Sequence, residues 1–351
     1  MYIVGGASSD AMMIQTKVLF IWDVRDELKD YLREGLSHLD NVNLIFLENV
    51  SEDKLLKHAP DAQILVGWRP SRDLLDAANQ FRLFINPGVG VQHHLETFRE
   101  LTKTRDVILV NGHGNTYFTA QHAVALLLAL TNKIIPHHRW MEQGKWRKGD
   151  SDAKSTPVRD RKVGLLGYGA VNKKVHRFLS GFDVEFHVCR RSWEEETSTL
   201  PTQVIRYTIP QIHEFLKETD ILIVGVPQTP DTIGLIGSKE LQLLGNKGLV
   251  VTVARGLVID EEAFYYALST KQIAGAAIDV WYDYKPEADD KGRKYPTAFP
   301  FHKLDNVVLS PHRGASPMDD LKRWDEVIEN ITRFAKGRND FLNIVDLERG
   351  Y

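Results

Sequence analysis

The chain has 351 residues, and at ~150 residues per domain that length implies two cores rather than one. Its 44 basic and 47 acidic side chains nearly cancel, so the composition supplies no bulk attraction to nucleic acid or to an anionic membrane surface. A single cysteine, Cys189, excludes an intrachain disulfide framework and a multi-cysteine metal or iron-sulfur site, and fits a reducing cytoplasm.

In chain order, MYIVGGASSD at the start lacks a basic segment followed by an apolar one, so it is not read as a secretory signal; its Gly/Ser-rich part is expected to be a loose tail. From Lys17 onward short apolar runs alternate with amphipathic segments, the pattern of a parallel sheet flanked by helices. VLFIWD (18–23), VNLIFLE (42–48), AQILVG (62–67), LFIN (83–86) and VILVN (107–111) are predicted buried strands, separated by helical stretches at 24–38, 51–59, 71–79 and 93–103. A connecting helix is expected from Thr116 to Lys133, interrupted by Pro136; its AVALLLAL core falls far short of the ~20 residues a bilayer span needs. A second strand series follows at 162–167, 184–189, 221–226, 249–254, 276–281 and 306–310. Met318 to Lys336 is predicted as one helix that returns to the first domain, with the tail 337–351 behind it. The polar stretch 283–305 reads as a surface loop, and there is neither a repeat nor a low-complexity tract.

VGLLGYGAVN at 163–172 places Gly167 and Gly169 between a predicted strand and a helix. One glycine makes the tight turn and the other lets the backbone approach a pyrophosphate at the helix N-terminus. Asn172 stands where a third glycine is expected, so helix and strand should pack less closely or the helix should start differently. About 20 residues on, an acidic residue would bind the ribose hydroxyls of NAD; the sequence has CRRS instead. Arg190 and Arg191, with Ser192 as a further donor, suit a 2'-phosphate and point to NADP, with NAD possible. Cys189 reads as a small buried apolar residue. His93, His94, His113, His137 and His138 match no compact metal-ligand spacing, and no metal is expected.

Three further stretches, VGVPQTPDTIGLI (224–236), VVTVARGLVIDEEAF (250–264) and SPHRGAS (310–316), together with GAAIDVW (275–281), resemble the D-isomer-specific 2-hydroxyacid dehydrogenase family. PGVGV (87–91), GNTYFTAQHA (114–123) and GKW (144–146) resemble its patterns nearer the N-terminus. The resemblance implies an α/β fold of two Rossmann-like or flavodoxin-like domains with parallel sheets. Residues 112–316 would form the NAD(P)-binding domain, inserted into a substrate domain of residues 1–111 plus 317–351. It implies an oxidoreductase moving hydride between NADP(H) and a small D-2-hydroxy or 2-oxo acid, in a homodimer built around 116–133. Arg255 matches the substrate-orienting arginine and His312 the acid/base. The amides of Val89 and Gly90 match the carboxylate-binding loop. Asp279 matches the residue that holds the nicotinamide carboxamide, and Asn115 a position near the hinge and the nicotinamide. Tyr168, Ala170, Val171, Val226, Pro227, Thr229, Thr232, Val253, Ala254 and Gly314 complete the cofactor lining implied by the match.

The departures concern the proton. The family pairs its histidine with a carboxylate that raises the ring's pKa. Counting without a gap from DVW puts Tyr284 in that place; a shift of one residue offers Lys285, and a larger rearrangement Asp283 or Glu287. Gln121 replaces the family's glutamate, and Arg313, where an apolar residue is expected, either faces the substrate and reads a second anionic group or is a surface arginine. Loss of the carboxylate keeps a second activity open, oxidation of formate or phosphite without alcohol deprotonation. A third reading, of another class, is a dinucleotide-sensing scaffold like the family's co-repressors, although the long tails and peptide-docking features expected of one are absent from the sequence.

Overall fold

Short runs such as Leu83–Asn86 are buried along their whole length, because each lies within a parallel sheet whose two faces are covered. In this computed structural model, which describes residues 15–147, 153–194, 199–317 and 319–351, the first elements are β1 (Thr16–Phe20), α1 (Asp26–Leu36), β2 (Val42–Ile45), α2 (Glu52–His58), β3 (Ile64–Val66), α3 (Arg72–Ala77), β4 (Leu83–Asn86), α4 (Leu95–Leu101) and β5 (Ile108–Asn111). Then come α5 (Thr116–Thr131), α6 (Ile134–Glu142), β6 (Lys162–Leu166), α7 (Ala170–Leu179), β7 (Glu185–Arg190), β8 (Val204–Thr208) and α8 (Ile212–Lys217). After these follow β9 (Ile221–Val224), α9 (Ser238–Leu244), β10 (Leu249–Thr252), α10 (Glu261–Ser269), β11 (Gly275–Ile278), β12 (Val307–Leu309) and α11 (Asp325–Ala335). They form two units, Met1–Gly114 with Asp319–Tyr351, and Asn115–Met318 inserted between those two segments. The loose tail expected at the start lies outside the described residues.

The discontinuous unit holds a five-stranded parallel sheet in the order β2-β1-β3-β4-β5. Leu28, Leu32 and Leu36 recur at helical spacing along α1 and are all buried, while Asp26 and Glu27 complement the dipole at its first turn. Val327 and Ile331 of α11 join Leu28, Leu32 and Phe20 in one apolar cluster. The segment expected as a single helix from Met318 is instead a 3-10 turn, Leu321–Trp324, followed by α11. Asp320 starts that turn by accepting from the Lys322 amide, and Trp324 is buried at its end. The tail then runs antiparallel to β5: the Asn111 amide donates to the Asn343 carbonyl (3.1 Å) and the Val345 amide to the Leu109 carbonyl (2.9 Å).

The inserted unit carries seven parallel strands in the order β12-β11-β10-β9-β6-β7-β8. Ala123 and Leu127 of α5 and Val175 and Leu179 of α7 cover one face, and Phe215, Leu241 and Phe264 cover the other. Cys189 is fully buried there, and burial pushes its thiol up to about 12, so it is an apolar filler rather than a nucleophile. Strand β8 was not expected: VIRYT is a half-exposed edge, and without a continuous apolar run it carries little signal. The helix break also falls elsewhere than expected. Alpha-helix α5 ends at Thr131, Lys133 turns left-handed (φ 53°), and Pro136 sits inside the first turn of α6, where no intrahelical N–H is needed. Among the described residues no single helix is long and apolar enough to cross a membrane; α5 and α6 reach that length only as a pair bent by 62°. The 283–305 stretch holds only a bridge between Ala288 and Lys294 and a short turn at Phe301–Lys303.

Candidate active site

The glycine turn joins β6 to α7. Gly167 has φ +82°, which excludes most side chains, and a Cβ there would press on the Gly225 carbonyl oxygen at 2.9 Å. A Cβ on Gly169, the residue capping α7, meets nothing, so the backbone is open to an approaching ligand. Ala170 and Val171 begin the helix, and no acidic side chain occupies its first turn; this is a ready anion-binding terminus. Asn172 corrects the expectation of looser packing. Its buried amide donates to the Gly167 carbonyl at 2.7 Å and the Leu166 carbonyl at 3.2 Å, stitching the turn to the strand. The space comes from Gly225, where a Cβ would lie 2.5 Å from the Asn172 Nδ2. Tyr168 is buried with its hydroxyl 2.7 Å from Nδ1 of His176, beneath the turn.

Arg190 ends β7 half-buried, its guanidinium 5.4 Å from the Trp193 ring; Arg191 is exposed and Ser192 accepts from the Glu194 amide. Arg206 of the unexpected β8 lies over the same ring at 4.6 Å. Past β9, Thr232 closes a turn by donating to the Pro227 carbonyl (2.6 Å) and accepting from the Thr229 amide (2.8 Å), next to the buried Val226.

Beyond β10, Val253 is buried and Arg255 donates from Nη1 to the Ala254 carbonyl at 2.7 Å. Gly256 lets this turn pass: a Cβ there would collide with the Trp281 carbonyl oxygen. Across the same unit, the Tyr284 hydroxyl lies 2.7 Å from Nδ1 of His312, with the two rings edge to face. Asp283 is engaged elsewhere, accepting from the Lys285 amide in its own turn. Arg255 is close enough to favour the ionised form of Tyr284 and to disfavour a charged His312, although burial holds the Tyr284 phenol above its ordinary value. Burial lowers the His312 pKa, and the Arg255 and Arg313 cations act in the same direction against Asp279.

His312 itself is left-handed (φ 57°), an uncommon state for a non-glycine residue. Asp279 holds it there. Its buried carboxylate accepts from the Arg313 amide at 2.6 Å and the Gly314 amide at 2.9 Å, and from the Ser310 hydroxyl. These hydrogen bonds keep the carboxyl ionised below the ordinary range even though burial opposes them. The Arg313 side chain is exposed and makes no hydrogen bond or ion pair among the described residues.

In the discontinuous unit, Val89 and Gly90 sit in a loop tied down by Asn111 Nδ2 on the Val89 carbonyl (2.9 Å) and by the Gly112 amide on the Gly88 carbonyl (3.2 Å). Among the described residues, neither the Val89 nor the Gly90 N–H has an acceptor, leaving two adjacent donors open. Asn115, in the inserted unit, has a buried Oδ1 with no hydrogen-bond partner among the described residues. Among the described residues no group of three or more His, Cys, Asp or Glu side chains is gathered as for a metal.

Two participants were missed in the sequence: Ser310, and His122 on α5, whose Nε2 lies 2.9 Å from the Ser310 Oγ and 3.3 Å from Asp279 Oδ1. The available signal was helical spacing, since Asn115, Thr119 and His122 follow one another at i, i+4 and i+7 on one face.

Residues 124–314 match the family model described as D-isomer specific 2-hydroxyacid dehydrogenase, NAD binding domain. The chain is 28% identical over 326 residues to a D-3-phosphoglycerate dehydrogenase of Archaeoglobus fulgidus, covering 92% of this chain but 58% of that longer protein. It is 27% identical to a glyoxylate reductase of Pyrococcus furiosus, covering 82% and 84% of the two chains. Among solved structures it is similar to an NADPH-dependent glyoxylate/hydroxypyruvate reductase from Sinorhizobium meliloti in complex with NADP and malonate (TM-score 0.70, 23% identity, 95% and 98% of the chains). It is also similar to a D-isomer specific 2-hydroxyacid dehydrogenase from Xanthobacter autotrophicus in complex with NADPH and MES (TM-score 0.74, 23% identity, 96% and 100%). At these identities the structural likeness is one of fold.

Proposed function

The chain belongs to the D-isomer specific 2-hydroxyacid dehydrogenase family, and from that premise we propose that it interconverts a small 2-oxo acid and the corresponding D-2-hydroxy acid with NADP(H) as the preferred dinucleotide. The observation that carries this reading is the 2.7 Å contact of Tyr284 with His312 Nδ1, beside the Arg255 cation. A bound nicotinamide dinucleotide supplies or takes up hydride. The open Gly169 and the α7 terminus fit its pyrophosphate, and Arg190, Arg191 and Ser192 fit a 2'-phosphate. That the similar Sinorhizobium and Xanthobacter structures carry NADP or NADPH favours the same choice. Val226, Pro227, Thr229, Thr232, Val253 and Ala254 line the rest of the cofactor.

Arg255 grips the substrate carboxylate and polarises the oxo oxygen; in the other unit the Val89 and Gly90 amides, open among the described residues, are suited by their chemistry to a carboxylate oxygen. His312 gives its proton to the oxo oxygen in reduction and takes it back from the hydroxyl in oxidation. Tyr284 orients the ring in both states: its oxygen accepts from Nδ1–H, which the imidazolium and the neutral ring left after proton transfer from Nε2 both carry, so Nε2 is left to face the substrate. Arg313, unpaired among the described residues, reads a second anionic group. Exposed Ile134, Met141 and Trp146 on and after α6 support a homodimer formed around the connecting helices. A screen of 2-oxo acids with NADPH and NADH tests the reading; turnover of none of them, or of formate instead, overturns it.

A further inference from the structure

Asp279 is 2% exposed, yet its two oxygens face four donors: the Ser310 hydroxyl, the Arg313 and Gly314 amides, and Nε2 of His122 at 3.3 Å. A carboxylate only accepts, so Ser310 gives its proton to Asp279 and accepts from His122 at 2.9 Å. In neutral His122 the hydrogen therefore sits on Nε2. The same order of donors rules out a nucleophilic serine, since the hydroxyl hydrogen points at a carboxylate rather than at a basic nitrogen. The clamp has two further supports. Trp281 Nε1 holds the Ser310 carbonyl at 2.8 Å, and the Thr119 methyl, one turn before His122 on α5, borders the Cβ position of Gly314 at 3.4 Å. Residues 310–314, which carry His312, are thus fixed from α5 and from the end of β11 together.

Position 284 holds a phenol, so Asp279 is the anion that acts on the His312 ring; Tyr284, Arg255 and Arg313 are the other polar or charged groups facing it. Each donor that engages Asp279 takes up part of its negative charge. We propose that His122 is a positioning residue for the reaction: by sharing the Asp279 carboxylate with Ser310, it holds the His312 loop and sets how much of that charge reaches the imidazole. This rests on His312 being the acid/base group proposed above.

The test is an NMR titration of His312 in the full-length protein without substrate, its ring signal assigned by its loss in His312→Gln, run beside the pH profile of kcat/KM. His122→Phe removes a donor from Asp279, and the His312 midpoint should rise by a few tenths of a pH unit; kcat should fall several-fold with the cofactor KM little changed. His122→Gln, which keeps an N–H at similar reach, should return both toward the parent values. Should His122→Phe fail to fold, Ser310→Ala is the second probe, with the same upward movement expected. An unmoved midpoint in a folded His122→Phe or Ser310→Ala protein overturns the proposal. The midpoint is read without turnover, so it is judged separately from the catalytic reading, which fails if His312→Gln remains active.

Discussion

Tyr284 donates to or accepts from His312 Nδ1 at 2.7 Å, so the group that orients the ring is a phenol that carries no charge at neutral pH. Reduction needs the imidazolium. With the His312 pKa lowered below its ordinary 6.5 by burial, Arg255 and Arg313, the rate of reduction should be level at acid pH and decline tenfold per unit above that lowered value. Tyr284→Glu places an anion on Nδ1 and should move the basic limb upward by about one pH unit or more. A profile that does not respond, in a folded and active variant, rules out His312 as the proton donor.

Removal of the guanidinium at 255 should cost about 10²–10³-fold in kcat/KM, the range for losing a preorganised donor to a developing oxyanion. Dinucleotide affinity should stay within a few-fold, because the role proposed for the group is to grip substrate rather than cofactor. Arg255→Lys should recover little, since an ammonium cannot make the two-point grip. Steady-state kinetics with fluorescence titration of NADPH separates the two effects.

Arg190→Asp should invert the cofactor preference. A charge-assisted contact to phosphate is worth ~1.5–3 kcal/mol, or about 10–100-fold in kcat/KM for NADPH, and the new carboxylate suits a ribose diol. Equal kcat/KM for NADPH and NADH in the unaltered protein removes the basis for this prediction.

Gly225→Ala forces a methyl against the Asn172 amide, and should destabilise the fold by about 1–3 kcal/mol. In Asn172→Gly the opposing side chain is gone, so Gly225→Ala on that background should cost much less. Denaturant unfolding of both single variants and the double variant measures the coupling; additive losses would mean that the two residues do not share the space.

The strands of both sheets were legible because burial on two faces writes continuous apolar runs, as in LFIN and LVVT. An edge strand such as β8 writes no such run, and Pro136 was misleading because a proline in a first helical turn looks, in one dimension, like a break. Tyr284 could be counted out from DVW. The Gly225 that accommodates Asn172 could not, being 53 positions away with no local pattern to pair them. Neither could the His122 link to Asp279, which depends on how α5 packs against the sheet.

The unit built from both ends of the chain has a consequence for biosynthesis. Every residue of the two clusters around the seven-stranded sheet lies between Ala120 and Val308, whereas the cluster beneath α1 needs Trp324, Val327, Ile331 and Phe341 beside Val18 and Leu28. A ribosome therefore releases the whole core of the inserted unit before it has made the last wall of the other one, and the cluster that α1 shares with the five-stranded sheet stays open on its α11 side for roughly 300 residues of synthesis, tens of seconds at ordinary elongation rates. That open side is where a chaperone acting on the nascent chain has the most to protect.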